Sequence, residues 1–295
     1  MSAVLDSLVS LLDMETIEEN LFRGASQDLG FRQLFGGQVL GQSLSAATKT
    51  VQVSRQAHSM HGYFLRPGDA TKPVIYEVER VRDGGSFSTR RVTAIQNGKT
   101  IFTCSVSFHD AEEGFTHQPV MPKVPMPEEL APETIIAEYL AGELPDDKRE
   151  KMLRPKPIET RPVQILDPLD PAAGEPVKQV WFKACAPLPD NPTLHKYLMA
   201  YASDFGLLTT SLIPHGVSIW QPFMQVASLD HSIWFHNQVR MDDWLLYSME
   251  SPWAGHGRGY SRAHIFNREG VLVASTAQEG LIRMREDWKD RKSMS

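Results

Sequence analysis

One long apolar segment of the chain covers residues 198–213, LMAYASDFGLLTTSLI, in which Asp204 is the single charged residue. Apolar residues on all sides of such a segment predict a helix that is buried on all sides. An ionised carboxylate is costly there unless it is hydrogen-bonded or paired. Asp204 is therefore either an N-cap following Ser203, the commoner reason for a lone Asp near a helix start, or a general base in a closed site.

The first half of the chain changes from helical to alternating patterns. Residues 4–12 and 37–51 have apolar positions at helical spacing. From residue 57 to residue 109 apolar and polar residues alternate in four runs, and Asn97 and Gly98 separate the last two. An Asn-Gly pair between alternating runs is the strongest short-range signal for a β-hairpin. This half is therefore predicted to be helical at first and then an antiparallel meander.

The middle of the chain has a different composition. Residues 111–164 are rich in proline and contain one periodic segment, residues 132–142, that predicts a helix. Such a composition is typical of a linker. We expect an N-terminal unit at residues 1–110 and a C-terminal unit at residues 165–295, with the linker crossing the surface between them.

The order of elements in the first half repeats in the second half. Residues 57–60, AHSM, align with residues 230–233, DHSI, at an offset of 173, and residues 87–88 align with residues 260–261 at the same offset. Local matches at a fixed offset indicate a duplication. A unit of one apolar helix and a long antiparallel sheet buries its helix by wrapping the sheet around it. The predicted fold is α+β, a double hotdog made of two such copies.

Composition narrows the possible partners. The 295 residues are 41% hydrophobic and 22% charged, with a net charge of -6, which supports a real core and predicts neither a nucleic-acid partner nor an anionic membrane partner. The two cysteines, Cys104 and Cys185, lie in predicted strands, so we expect no disulfide framework and no zinc site. No signal peptide and no transmembrane run are recognisable, and we expect a cytoplasmic protein.

Three polar residues of the second half have counterparts of another kind in the first half. They are Asp204, Gln278 on the helix-facing side of the last strand, and Ser228 at the end of the strand before the LDHS motif. The counterparts, in the same order, are Gly36, Val106 and Arg55. A structural cap would be expected to correspond to a capping residue, so the asymmetry favours a site. Taken alone, Gln278 is also explained as a buried amide and Ser228 as a hydroxyl with a local bond.

Together, Asp204, Ser228 and Gln278 form a carboxylate with two hydrogen-bonding neighbours. We expect both neighbours to donate to Asp204 and keep it ionised, so that it deprotonates a water. The set contains no dedicated general acid, which requires a good leaving group. A thiolate qualifies, because the ordinary pKa of a thiol is about 8.5. Thioester hydrolysis is the reaction that matches these residues.

The chain resembles the acyl-CoA thioesterase II family. The blocks that carry the resemblance run nearly from end to end and include LFRGASQDLGFRQLFGGQVLGQ, HSMHGYFLRPGD, YASDFGLL, LDHSIWFH and GVLVASTAQEG. The resemblance implies hydrolysis of fatty acyl-CoA to fatty acid and coenzyme A, no cofactor, and a homo-oligomer that is a dimer or a tetramer. It also implies a catalytic trio of Asp204, Ser228 and Gln278, with Ser228 in place of the Thr of close relatives.

Other site residues are expected in the first half. The start of its helix at Gly36, Gly37 and Gln38 is the expected source of backbone N–H donors for the oxyanion, because glycine permits close approach and the helix dipole favours negative charge. His58 and His61 have no third metal ligand at a suitable spacing, so we expect no metal and assign His58 to strand packing or substrate contact.

Two other functions stay open. Hotdog folds also host hydration of enoyl-CoA, for which a His beside the Asp is expected, whereas Ser203 and Phe205 flank Asp204 in the chain. A non-catalytic acyl-CoA-binding protein is the second, and the retained trio argues against it. The coenzyme A phosphates have several candidate ligands, which are Arg55, Arg90, Arg91, Arg258 and Arg262.

Overall fold

The computed structural model describes residues 2–30, 33–142, 144 and 146–285. The helices in these ranges are α1 Ala3–Leu12, α2 Gly36–Thr48, α3 Glu133–Ala141, α4 Asp146–Leu153, α5 Pro192–Ala202 and the 3₁₀ helices Pro127–Glu129 and Leu208–His215. The strands are β1 Glu15–Glu18, β2 Leu21–Gly24, β3 Gln56–Phe64, β4 Val74–Asp83, β5 Phe87–Gln96, β6 Lys99–His109, β7 Ile158–Pro162, β8 Val177–Ala184, β9 Met224–Ser228, β10 Asp230–Phe235, β11 Leu245–Gly255, β12 Arg258–Asn267 and β13 Leu272–Met284.

One continuous antiparallel sheet contains all of these strands. Its order is β1-β2-β4-β5-β6-β3-β10-β13-β12-β11-β8-β7, and β9 pairs with β13. The halves meet where β3 pairs with β10, and there Met60 lies opposite Ile233. These two residues are 173 positions apart, which is the offset of the repeat. Direct pairing of repeat counterparts places a local two-fold axis between the halves, and the predicted α+β double hotdog is confirmed.

The helices α2 and α5 pack against each other on the inner face of the sheet. A Cβ atom on Gly37 would lie 2.2 Å from the carbonyl oxygen of Tyr201, and one on Gly41 would lie 3.1 Å from the carbonyl oxygen of Tyr197. The absence of side chains at these two positions therefore lets the helix backbones approach each other. Several residues of the two helices have no exposed surface: Leu40, Leu44, Leu198 and Met199.

The predicted hairpin at Asn97 and Gly98 is confirmed. Both residues have positive φ angles, 49° and 70°, as a two-residue type I′ turn requires. On either side of the turn Gln96 pairs with Lys99, and the ladder continues along β5 and β6. The local twist of this turn suits the twist of the flanking strands, so the Asn-Gly signal in the sequence is sufficient to fix it.

The prediction of one helix over residues 198–213 is wrong. The helix α5 ends at Ala202, and a turn precedes the 3₁₀ helix Leu208–His215. Gly206 in that turn has a φ of 78°, a left-handed conformation that breaks the helix and that glycine adopts readily. Asp204 therefore lies in a turn between two helices, one residue after the C-cap of α5.

This position of Asp204 also corrects its counterpart in the repeat. Gly36 begins α2, whereas Asp204 follows the end of α5, so the two residues are not equivalent. The C-caps of the two helices are Lys49 and Ser203. The residue that occupies the place of Asp204 in the first half is therefore Thr50.

The segment predicted as a linker contains more structure than its composition suggested. Besides α3 it includes α4 and β7, and β7 pairs with β8 at the edge of the sheet. Trp181 of β8 is completely buried and donates from Nε1 to the carbonyl oxygen of Pro125 at 2.9 Å. The partly buried residues of this segment that pack against the apolar cluster containing Trp181 are Met121, Val124, Met126, Leu130 and Val163. The segment thus covers the C-terminal half of the sheet, and the division at residues 110 and 165 stays a prediction.

Of the helices in the described ranges, none has the length and apolar content that a membrane span requires.

Candidate active site

The three residues predicted as a trio meet at the end of α5. Gln278, on β13, donates from Nε2 to Asp204 Oδ1 at 2.8 Å and to Ser228 Oγ at 2.8 Å. The strand β9 ends at Ser228 and pairs with β13, which places the hydroxyl beside the amide. Gln278 faces the helices and is 1% exposed. A strand, a strand end and a turn that are far apart in the chain therefore bring a carboxylate, a hydroxyl and an amide together.

The chemistry of these groups fixes the direction of each hydrogen bond. An amide nitrogen has two protons, and Gln278 gives one to the carboxylate and the other to the hydroxyl oxygen. Ser228 Oγ accepts this bond, so its own proton points elsewhere. Ser228 is half-buried, which lets that proton reach a water or a substrate. The direct bond from Ser228 to Asp204 that the sequence predicts is not formed, and the two residues are linked through Gln278.

The electrostatic surroundings of Asp204 make it a stronger base than an ordinary Asp. Burial raises the pKa of Asp204, because an ionised carboxylate is poorly solvated there. The hydrogen bond from Gln278 and the backbone N–H of Gly37 lower this pKa again in part. The result is a carboxylate that holds a proton more tightly than usual but has two donors to stabilise its charge, as a general base near neutral pH requires.

The start of α2, at Gly36 and Gly37, contacts the Asp204 carboxylate. A Cβ atom on Gly36 would lie 2.7 Å from Asp204 Oδ2, so glycine is required there. The N–H of Gly37 acts on the carboxylate, and the N–H of Gln38 is bonded to the carbonyl oxygen of Phe35 at 3.2 Å. The N–H groups of Gly37 and Gln38 thus have partners within the protein, and the oxyanion role of this helix start stays a prediction.

The side chain of Gln38 is also committed elsewhere. Its Oε1 accepts from the backbone N–H of Gln27 at 3.0 Å, and its Nε2 donates to the carbonyl oxygen of Ala25 at 3.0 Å. Gln38 is 1% exposed. The second amide proton goes to Gln42 Oε1 at 3.3 Å, so this side chain fixes the loop before α2 and has no donor left for a substrate.

His58 lies on the outer face of the sheet, away from the trio. The ladder between β3 and β6 pairs Ala57 with Phe108 and Ser59 with Ser107, so His58 is the extra residue of a β-bulge. The bulge turns its ring outward, where Nε2 lies 2.8 Å from Ser107 Oγ. These contacts support strand packing, one of the two roles expected for His58, and substrate contact stays a prediction.

The strand ladders also correct the counterpart of Gln278. Ser88 and Ser261 are 173 positions apart, and they pair with Phe108 and Gln278 respectively. The equivalent of Gln278 is therefore Phe108, two residues from Val106. The error arises because the first-half hairpin is longer: Phe108 follows Ser88 by 20 positions, whereas Gln278 follows Ser261 by 17.

Two of the candidate phosphate ligands are unavailable. Arg55 donates to the carbonyl oxygens of Gly84 and Gly85 and to the Ser88 hydroxyl, and it is 8% exposed. Arg90 is 1% exposed and donates to Asp83 at 2.7 Å. Their guanidinium groups are bonded inside the N-terminal half, so neither binds coenzyme A phosphates.

Aromatic rings border the turn that carries Asp204. Phe35 stacks on Phe205 with ring centroids 4.4 Å apart, and Tyr201 meets both rings edge to face. Phe205 is 40% exposed, so this cluster reaches the surface beside the carboxylate. Apolar surface next to a polar reacting centre is what a substrate with an acyl chain requires.

Sequence reasoning missed the contacts behind Asp204. His231 and Tyr247 each form a hydrogen bond with Ser203 at the end of α5. One signal was present, because His231 is the repeat counterpart of His58 at the offset of 173. His231 is completely buried on the inner side, whereas His58 is turned outward by its bulge. The sequence analysis singled out His58, whereas the histidine near Asp204 is its repeat counterpart, His231.

Comparisons with known proteins show which family the chain resembles. The sequence profile described as acyl-CoA thioesterase N-terminal domain matches residues 26–109, and the profile described as acyl-CoA thioesterase matches residues 150–281. The chain is 43% identical to acyl-CoA thioesterase 2 of Haemophilus influenzae, over 97% of this chain and 100% of that protein. It is 40% identical to human acyl-coenzyme A thioesterase 8, over 97% of this chain and 91% of that protein.

Solved structures lead to the same class. An acyl-CoA thioesterase II from Mycobacterium marinum has a TM-score of 0.77 at 42% identity, over 95% of this chain and 99% of that chain. A protein of unknown function with a hot dog fold from Alicyclobacillus acidocaldarius has a TM-score of 0.74 at 17% identity, over 94% and 98%, and supports the fold alone. The fold and the comparisons define a double-hotdog thioester hydrolase. The chain belongs to the acyl-CoA thioesterase II family.

Proposed function

We propose that this chain hydrolyses fatty acyl-CoA thioesters through a water molecule that Asp204 deprotonates. The observation that supports this mechanism is the Gln278 amide, which holds the buried carboxylate and the Ser228 hydroxyl oxygen with one nitrogen. A carboxylate that accepts and a hydroxyl that donates are thereby held side by side. One water can donate a proton to Asp204 and accept one hydrogen bond from Ser228, which leaves its second lone pair for attack.

The reaction then proceeds in two stages. The water gives one proton to Asp204 while its oxygen forms a bond to the thioester carbonyl carbon, which produces a tetrahedral oxyanion. The intermediate collapses with cleavage of the C–S bond, and coenzyme A leaves as a thiolate, because the ordinary thiol pKa is about 8.5. Asp204 returns its proton to the thiolate. The products are a fatty acid and coenzyme A, and Ser228 forms no acyl ester.

We place the acyl chain along the aromatic cluster of Phe35, Tyr201 and Phe205. This assignment rests on its exposure at Phe205 and on its position next to Asp204 in the chain. The thioester carbonyl then lies between the rings and the trio. Burial of successive methylene groups against the rings contributes about 0.8 kcal/mol each, so the cluster favours longer chains over acetyl.

The mechanism is tested with Asp204→Asn, which keeps the shape of the side chain and removes the base. We expect turnover of decanoyl-CoA to fall at least about a hundredfold while substrate still binds, because general-base catalysis is lost. Thiol release followed with a thiol reagent gives kcat and KM. Asp242→Asn is the matched control, since Asp242 has a side-chain exposure of 12% and its partners are Arg240 and Leu188. Near-normal turnover in Asp204→Asn would contradict the proposal.

The same assay separates the other two functions. An enoyl-CoA hydratase would remove enoyl absorbance without thiol release, and a binder would do neither. His231 lies behind Ser203 and is completely buried, so it does not supply the substrate-facing His that a hydratase needs. The hydrolase is therefore the reading that the geometry supports best.

A homo-oligomer, dimer or tetramer, is part of the proposal. The sheet ends at the short strands β1 and β7, and large side chains such as Tyr63, 61% exposed, stand on its outer face. Exposed sheet edges and faces commonly pair with another copy. Light scattering at micromolar concentration should give a multiple of 33.1 kDa, and a value at 33.1 kDa would contradict this part.

A cytoplasmic location is proposed on the two free cysteines, Cys104 and Cys185. Free thiols are typical of proteins kept in a reducing compartment. Cell fractionation with a marker enzyme for the cytoplasm tests this placement, and recovery outside the cytoplasmic fraction would contradict it.

A further inference from the structure

Ser203, the residue before Asp204, is held from two sides. Its carbonyl oxygen accepts a hydrogen bond from the Tyr247 hydroxyl at 2.6 Å. Its Oγ lies 2.9 Å from His231 Nε2 and 2.9 Å from the carbonyl oxygen of Ala200. Both the main chain and the side chain at this position are therefore fixed by residues of the sheet and of α5.

The donor and the acceptor of each hydrogen bond around Ser203 can be assigned. A carbonyl oxygen only accepts, so the single Tyr247 proton goes to Ser203, and the Thr276 hydroxyl, 3.0 Å away, donates to Tyr247. When the Ser203 hydroxyl donates to Ala200, its oxygen accepts from His231 Nε2–H. Two chains of donors thus end at Ser203, one from β13 through β11 and one from β10.

Neither Tyr247 nor His231 reaches the substrate. Tyr247 is 3% exposed and His231 has no exposed surface. Burial raises the pKa of Tyr247 well above its ordinary value and lowers the pKa of His231 to about 3. Both groups are neutral over the range in which an enzyme of this kind works, so their hydrogen bonds persist as the pH changes.

Asp204 itself depends on its neighbours for position. It lies in a turn between Ser203 and the left-handed Gly206, and it is held there by Gln278 and by the N–H of Gly37. A shift of the turn lengthens both of these contacts at once. Since they are the contacts that lower the pKa of Asp204 against the effect of burial, a shifted carboxylate has a higher pKa.

We propose that Tyr247 and His231 are positioning residues, which act through Ser203 to hold the Asp204 carboxylate against the Gln278 amide and the start of α2. This inference rests on the proposed role of Asp204 as the base. It assigns a function to the histidine of the LDHS motif and to a buried tyrosine, neither of which touches the reacting atoms.

The test uses two small deletions, Tyr247→Phe and Ser203→Ala, with Tyr76→Phe as the matched control. Tyr76 has no exposed surface, and its hydroxyl donates to Gln42 Oε1 at 2.7 Å in the other half. Loss of one buried hydroxyl bond is therefore common to both tyrosine variants. Only Tyr247→Phe removes a bond from the turn that carries Asp204.

We expect Tyr247→Phe and Ser203→Ala to lower kcat about tenfold or more with KM changed less than about twofold, since misplacement of a base affects the chemical step. The acid limb of the kcat profile should move to higher pH by about half a unit or more, because the carboxylate loses its donors. Tyr76→Phe should leave kcat and the acid limb unchanged.

The outcomes separate this inference from the proposed mechanism. If Asp204→Asn is inactive while Tyr247→Phe and Ser203→Ala keep the kcat and the acid limb of Tyr76→Phe, the positioning role is refuted and the base remains. If Asp204→Asn keeps its turnover, the mechanism itself is refuted. The two variants test the two sides separately, because Tyr247→Phe removes the bond to the Ser203 carbonyl oxygen and Ser203→Ala removes the bond between the Ser203 hydroxyl and His231.

Discussion

The two halves of the molecule use the same place at the end of their central helices in opposite ways. In the C-terminal half this place carries a carboxylate, a hydroxyl and an amide, on Asp204, Ser228 and Gln278. In the N-terminal half the equivalent positions carry a small hydroxyl, a guanidinium and a ring, on Thr50, Arg55 and Phe108. The backbone arrangement is repeated in the two halves, whereas the functional groups at these positions differ.

A single pair of equivalent positions explains much of the difference. Arg90 pairs with Val106 in one half, and Ala263 pairs with Thr276 in the other, 173 positions later. The Arg90 side chain donates to Thr50 Oγ1 at 2.8 Å and fills the space beside the helix end. Ala263, at the equivalent position of the other half, has only a methyl group and cannot reach the helix end in this way. The two halves therefore differ in side-chain volume at this strand position, which is large at Arg90 and small at Ala263.

Of the changes that test the difference between the two halves, removal of the Gln278 amide should have the largest effect on turnover. We expect Gln278→Ala to lower turnover about tenfold to a hundredfold and Ser228→Ala somewhat less, because each removes one contact to the reacting water or its base. Combined with Asp204→Asn, neither should add its full separate effect, since the three residues act on one water. Gln96→Ala, at a buried amide of the other half, is the control for turnover. Full additivity would contradict a shared site.

Removal of a guanidinium should change stability and leave chemistry alone. Arg55→Met keeps most of the side-chain volume but leaves the carbonyl oxygens of Gly84 and Gly85 without their donor. We expect the free energy of unfolding to fall by about 2 kcal/mol, measured by urea denaturation, with kcat of the folded enzyme unchanged. Arg91→Met, at an exposed ion pair with Glu79, should have little effect on either. A lower kcat in Arg55→Met would show that the place around Arg55, equivalent to the site of the second half, takes part in the reaction.

The smallest expected effect is a gain in stability. Because burial raises the pKa of Asp204 in the folded protein, its ionisation weakens the fold as the pH rises through that pKa. Asp204→Asn removes this charge, so we expect the free energy of unfolding at pH 7 to increase by about 1 kcal/mol. The advantage should vanish below about pH 4, where the carboxyl group is protonated in both states. A loss of stability at pH 7 would show that the charge is better solvated than the structure indicates.

Much of the fold could be predicted because it depends on local rules. The turn at Asn97 and Gly98 needs two positive φ angles, which this residue pair supplies. The inner position of Gln278 follows from strict alternation along β13, where inner and outer residues are buried and half-exposed in turn. Both features depend on residues that are close together in the chain, so they can be predicted from the sequence alone.

The predictions that the structure corrects or leaves open concern places where a strand or a helix is interrupted, or where distant parts of the chain meet. The bulge at His58 adds one residue to β3 and reverses the side to which that histidine points. Gly206 ends a helix that apolar composition alone would continue. The role of Gly37 depends on the approach of a turn from the other half, which no local pattern contains. The repeat indicated Asp204, Ser228 and Gln278 although the counterparts it gave for Asp204 and Gln278 were wrong, and the contacts of Asp204 with Gln278 and Gly37 are visible only in the structure.

The central claim is that the duplicated frame contains one active site per chain. The most direct measurement is a calorimetric titration of the Asp204→Asn variant with decanoyl-CoA, which binds without being consumed. We predict one molecule bound per chain, because Arg55 and Arg90 fill the equivalent place in the first half. Two molecules bound per chain, or thiol release during the titration, would contradict the account.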